Sequence, residues 1–347
     1  MDEVRISARG VWWCLAAAVF FGASTPLAKR VLENIDAGTL AGLLYVGAAL
    51  IAAPVAIRQA RPAPTRRQWG QLGVAVVVGG GLAPLLMLLA LDKVPSPTVS
   101  ILLNLEVVAT AAIAAIVFHE RLGTRVVAGI GLIAAAGVVL GWSGGPSARP
   151  AALLVVFACV GWGIDNAVTA NLVVFTPAQI TFAKGAVAGT VNLMIGIGRA
   201  GHLPAAGATF AAVAVGAVGY GMSIMLWIGG ARLIGAARGQ AVYASAPFIG
   251  AALAWPIVGQ RLTGSAVLAG VIAGAGVVLA VSRSHGHQHR HAPVVHTHVH
   301  SHNDGHHDYH HHDDDAVGDH EHWHEHQLVE HTHTHATIVL RRRHDHH

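Results

Sequence analysis

Glu106 stands inside a long apolar run, and a carboxylate in hydrocarbon is costly to hold and usually functional. It lies about nine residues beyond Pro97, roughly 14 Å at about 1.5 Å per residue, which is close to a bilayer midplane. No cation in the neighbouring sequence matches its depth. Such a group can exchange protons or coordinate a cation. The plainer alternative is a protonated side chain that, with Asn104, ties helices together. Asp165 and Lys184 flank one turn between two apolar spans, about eight and about seven residues from it. Both therefore sit ~10–12 Å from the same surface at ~1.5 Å per residue. That placement suits an ion pair between adjacent helices, or a contact to substrate or proton, and Asn166 extends the same site. Ser24, Thr25 and Pro26 occupy nearly the equivalent place at an offset near 141. Pro26 removes a helical hydrogen bond, and broken helices often line binding sites; a simple kink is the alternative. Gln240, Tyr243 and Ser245 are further candidates for the same cavity. His119 and Glu120 read, with Arg121 and Arg125, as an interfacial ion-pair cluster.

A second chemistry lies beyond Ser284. Residues 285–347 hold 23 of the 25 histidines. They recur as His287, His289 and His291, as His296, His298 and His300, as His310-His311-His312, and as His331, His333 and His335. Alternate imidazoles on one chain can close around Ni, Co or Zn ions. The segment can capture or sense a transported metal, buffer metal or protons, or serve only as a solvated extension. Histidine also titrates near ~6.5, so a pH-sensing tail is a further possibility. With no apolar period and no packable face, this tail is expected to be disordered.

These groups must be carried by membrane helices. The chain has 347 residues, 53% of them apolar and 12% charged. Between Ala37 and Asn303 the carboxylates are Asp92, Glu106, Glu120 and Asp165, while ten more crowd into residues 304–345. So little charge over so long a stretch excludes a soluble domain. The pI of 9.4 comes without a basic patch interleaved with aromatics, so nucleic acid is not an expected partner. Ten apolar spans are read at about 11–28, 38–57, 71–91, 97–118, 126–142, 151–173, 177–198, 208–230, 236–258 and 264–282. Each approaches the ~20 residues a spanning helix needs. Segments that lie inside when the N-terminus is inside hold ten Arg before residue 283, against six Lys or Arg outside. That bias places both termini in the cytoplasm of a cell (inner or plasma) membrane.

The spans form two copies. Residues 131–140, G-L-I-A-A-A-G-V-V-L, match residues 270–279, G-V-I-A-G-A-G-V-V-L, at eight of ten positions, and Arg121-Leu122 reappears as Arg261-Leu262. A five-span copy has an odd number of crossings, so the second lies upside down relative to the first. Inverted repeats are the build of secondary transporters, with the binding site where the repeats meet. The domains follow: a cytoplasmic N-terminus 1–10, a first repeat 11–142, a linker 143–150, a second repeat 151–282 and the tail 283–347.

Asn104-Leu105-Glu106, then His119-Glu120-Arg121-Leu122 and the following Gly-rich span, resemble the EamA-type members of the drug/metabolite transporter superfamily. The resemblance covers about residues 11–282. The second copy departs from the pattern, with Gln260-Arg261-Leu262 for Glu-Arg-Leu and Ala246-Pro247 for Glu-Pro; the first has Val107 where the family often has Pro. The resemblance implies two five-helix repeats around a central cavity and alternating access. Members export amino acids, nucleobases, drugs and other solutes, and often carry a basic residue near the place of Lys184. The expected protein is thus an all-α integral membrane protein of ten helices in two inverted repeats. It would export a small solute or a divalent metal ion, with a proton as coupling ion, the bilayer as partner and no tightly bound cofactor. An amino-acid or metabolite exporter whose tail only buffers, and a metal sensor without transport, are the alternatives. An enzyme is not expected, because no nucleophile–base pair or in-membrane His-Glu motif is present.

Overall fold

The computed structural model describes residues 8–59, 64–117, 123–143, 148–170, 172–234 and 236–281, and the backbone of 285–291, 295–300, 320–325 and 329–335 in the tail. Two units separate at the Val281–Ser282 junction. The first is helical: α1 (Ala8–Val31), α2 (Ala37–Arg58), α3 (Arg66–Lys93), α4 in two halves (Ser96–Leu102 and Leu105–Val117), α5 (Thr124–Ser143), α6 (Ala148–Ala170), α7 (Pro177–Ala200), α8 (Ala206–Ile234), α9 in two halves (Ala236–Tyr243 and Ala246–Val258) and α10 (Gly264–Val281).

Local sequence sets these ends. The Asp36 side chain accepts a hydrogen bond from Thr39 N at 3.0 Å and caps α2. Thr65 with Gln68, and Thr176 with Gln179, form reciprocal capping boxes at the starts of α3 and α7. Each satisfies backbone donors that a helix start leaves free. Gly201 and Gly259 close α7 and α9 at φ 74° and 68°, a backbone conformation that suits glycine. Among the described residues, eight segments are long and apolar enough to cross a membrane, from α1 through α8. Two shorter apolar helices, Ala246–Val258 and Gly264–Ala280, follow them. α9 is broken at Ala244–Ser245, and its second half has 13 residues.

The copies interlock by swapped contacts. α1 packs on α8 and on the second half of α9, and correspondingly α6 packs on α3 and on the second half of α4. α2 packs on α7, and α5 on α10. In the last crossing a Cβ on Gly129 would come within 2.5 Å of Gly276 O, and one on Gly276 within 2.7 Å of Gly129 O. The backbones therefore meet directly, as small residues permit where lipid gives apolar surface no drive to associate.

Three helices contain widened π-turns: Ala75–Leu82 in α3, Lys184–Gly189 in α7 and Gly216–Met222 in α8. The turns in α3 and α8 begin at equivalent places, Ala75 and Gly216. In α3 the Ala83 N–H donates to Val78 O. The carbonyl of Gly79 next looks for Pro84, which has no N–H. That carbonyl instead accepts Tyr45 OH at 2.9 Å and Trp162 Nε1 at 3.2 Å.

The tail departs from the expectation of a segment without regular structure. β1 (His285–His291) pairs antiparallel with β4 (Val329–His335), and β2 (Val295–His300) with β3 (His320–Glu325). The register sets His285, His287 and His289 opposite His335, His333 and His331. In the other ribbon His296, His298 and His300 stand opposite His324, His322 and His320. The physical reason is the alternating His-X-His pattern, whose period of two is that of a strand.

Candidate functional site

Glu106 owes its position to the break in α4. Asn104 N and Glu106 N bond back three residues, to Ile101 O at 3.1 Å and Leu103 O at 3.0 Å, and Asn104 Nδ2 donates to Ile101 O at 2.9 Å. This tightened turn ends one half-helix and starts the next, with Glu106 in its first turn. The second copy repeats the device. Ser245 N bonds Val242 O at 3.2 Å, and Ser245 Oγ donates to the same oxygen at 2.8 Å. Of the two readings of Pro26, a broken helix and a simple kink, the break does not occur: α1 runs continuously through it. Ser24 and Thr25 are buried, and Ser24 Oγ donates to Phe21 O at 2.6 Å. Neither lines the cavity described next. A short polar side chain that bonds its own helix stays in the wall, and Gly219 of α8 packs against Ser24.

The cavity draws on both copies and is partly open to solvent. Glu106, Asp165, Asn166, Thr169 and Lys184 line it, together with Phe21, Tyr45, Trp162, Tyr220, Trp227 and Tyr243. Asn166 Nδ2 donates to Glu106 Oε1 at 2.7 Å, and Gln240 Nε2 donates to the same oxygen at 3.3 Å. One carboxylate from the first copy is thus held by two amides from α6 and α9 of the second. Gln240 and Asn104 face a smaller adjoining pocket shared with Glu106 and Tyr243.

Asp165 and Lys184 meet as the depth count suggested, Nζ to Oδ2 at 2.6 Å, with side chains 7% and 3% exposed. Thr169 Oγ1 bonds Asp165 O at 2.8 Å. Gly79 of α3 lies against Asp165, and a Cβ on Gly80 would stand 3.1 Å from Lys184 Cβ, so the pair is clamped between copies. Asp165 Oδ1 has no hydrogen-bond partner among the described residues.

Apart from Tyr243, the sequence reading missed the aromatic wall. Phe21 stacks edge-on with Trp162 at 5.8 Å and Tyr220 at 5.6 Å, and lies 5.8 Å from Tyr243. Tyr45 reaches Tyr220 at 5.5 Å, and Trp227 reaches Tyr243 at 6.1 Å. The available signal was the placing of Tyr and Trp mid-span, since their polar tips need partners when buried.

Chemically, the cavity offers one carboxylate bonded only by amides, one closed ion pair and aromatic faces. No group of three or more His, Cys, Asp or Glu suited to a metal occurs among the described residues. His119, Glu120 and His310-His311-His312 lie outside the described residues. The other tail histidines named above, from His287 to His335, fall on the four strands.

The family model described as EamA-like transporter family matches residues 8–142 and 149–282. No curated protein matches the chain. A solved chain described only as a crystal structure of a protein is 18% identical, with a TM-score of 0.58 over 78% of this chain and 97% of that one. That likeness concerns the fold.

Proposed function

The chain belongs to the EamA-like transporter family, and on that premise we propose that it exports a small organic solute, coupled to protons through Glu106. In this reading the two repeats are inverted five-helix bundles, making ten crossings with both termini in the cytoplasm of the cell membrane. The shorter helices α9 and α10 complete the second bundle. The single observation that carries the proposal is the meeting of both repeats at one carboxylate: Glu106 of α4 held by Asn166 of α6 and Gln240 of α9. A carboxylate shared between halves that rock against each other changes its partners as they move, which is what coupling requires. The lining also runs from Phe21 and Tyr45 toward Thr169 and Ile228, near the C-terminal ends of α6 and α8. Those ends are cytoplasmic in this topology, which suits loading from inside.

The test uses proteoliposomes with an imposed pH gradient. Solute flux by the full chain should follow the gradient, and Glu106→Gln should abolish the coupling. Gradient-driven flux that persists in the variant would end the assignment of Glu106.

A metal role for the tail is favoured by the register that sets histidine opposite histidine in both ribbons. In this reading the tail binds Ni, Co or Zn as an accessory, and the membrane core, poor in metal ligands, carries the organic cargo. Cells expressing the full chain, a chain truncated at Arg283 and Glu106→Gln are compared for metal content and tolerance. Truncation alone should alter them. A change on Glu106→Gln as well would make the metal the cargo, and no change in either would remove the metal role.

A further inference from the structure

We infer that the cavity's cargo is an organic ammonium with an apolar or aromatic body. This rests on the reading of the cavity as the cargo site and narrows its chemistry. Three facts decide the charge. Glu106 faces the cavity with two amides on Oε1, and no cation or hydrogen-bond donor meets its Oε2 among the described residues. Lys184, the cationic side chain in the lining, is already committed to Asp165 at 2.6 Å. An anionic cargo therefore finds no free cation and one repelling carboxylate, whereas a cation finds an acceptor.

The wall decides the kind of cation. Phe21, Trp162, Tyr220, Trp227 and Tyr243 form one connected aromatic surface in the lining that Glu106 shares. An ammonium within about 6 Å of such ring faces is attracted by their quadrupoles, and recognition of ammonium ligands is the common use of aromatic cages. The same faces bury an apolar body. A bare divalent ion fits poorly, since it wants several hard or imidazole ligands and the lining offers one carboxylate outside an ion pair. A neutral apolar solute would leave that carboxylate without a counter-charge.

The experiment measures equilibrium binding to the full chain in lipid nanodiscs, so that it is independent of flux. The probes are phenethylammonium, 2-phenylethanol, phenylacetate and methylammonium. Phenethylammonium should bind at least ten-fold more tightly than each of the others. Glu106→Gln should erase its advantage over 2-phenylethanol and leave the alcohol's affinity unchanged. Trp227→Leu and Tyr243→Leu should weaken phenethylammonium several-fold without restoring phenylacetate, with thermal unfolding confirming that each variant is folded. Equal or tighter binding of the alcohol, the carboxylate or methylammonium would overturn the inference. So would an ammonium preference that survives Glu106→Gln, or no binding of phenethylammonium. If the ammonium binds as described but is never moved, transport fails and the cavity assignment stands.

Discussion

Asp165 and Lys184 are each tolerable only because the other is there. In the apolar interior a lone charge costs several kcal/mol, so removing one partner should be far worse than removing both. Asp165→Asn and Lys184→Met are each expected to lower stability by about 3–5 kcal/mol, and the double variant by clearly less than their sum. Thermal unfolding in detergent across the four proteins measures the coupling; additive losses would show that the contact contributes nothing. This pair was legible from residue counting alone, because helices joined by a short turn place their residues at matched depth. The partners of Glu106 were less legible. Asn166 and Gln240 were marked as cavity candidates, but their convergence on one oxygen depends on how α6 and α9 cross α4, and spacing along the chain does not encode that crossing. Asn104, expected to act beside Glu106, instead turns back onto Ile101 O. Phe21 escaped notice because an apolar aromatic in a membrane span has the same signature whether it faces lipid or a cavity, and Trp162 and Trp227 were marked only by mid-span N–H groups.

Pro84 explains an element-scale feature, the free carbonyl in the π-turn of α3. It leaves Gly79 O to Tyr45 and Trp162. Tyr45→Phe should cost ~1 kcal/mol, the usual net worth of such a bond. In a Pro84→Ala background, where residue 84 regains an N–H for Gly79 O, the same change should cost measurably less. Equal costs in the two backgrounds would contradict this origin of the free carbonyl. The crossing of α5 and α10 gives a second prediction. With no room for a side chain at Gly129, Gly129→Leu should destabilise the protein by at least the ~1–3 kcal/mol typical of overpacking, while Gly131→Leu, whose Cβ meets nothing within 4 Å, should be nearly silent in the same unfolding assay. Spans and their order could be read from apolar runs. The break in α4 could not, since Leu103-Asn104 contains no strong helix breaker. The break in α9 precedes Pro247, which stands in the first turn of the second half, while Pro26 sits in an unbroken helix.

At the scale of the whole molecule, duplication is written in both sequence and contacts. The swapped pairs, α1 on α8 and α6 on α3, follow from two copies of one bundle related by a two-fold exchange. Equivalent arginines repeat the theme at the surface: Arg9 lies over Trp13 at 4.5 Å and Arg149 over Trp142 at 4.6 Å, the kind of pairing found at membrane interfaces. The offset near 140 made the two copies readable before any fold was known. The ribbons of the tail were not foreseen, because polarity argued for disorder more loudly than the period of two argued for strands. What the account needs most is that the copies face opposite ways. Arg66 and Gly207 occupy equivalent, exposed positions at the starts of α3 and α8. Single cysteines at these two sites, with buried Cys14 and Cys159 replaced by Ala, can be probed with an impermeant thiol reagent on intact cells and after lysis. The account predicts that Gly207→Cys is labelled from outside and Arg66→Cys only after lysis; labelling of both from the same side would contradict it.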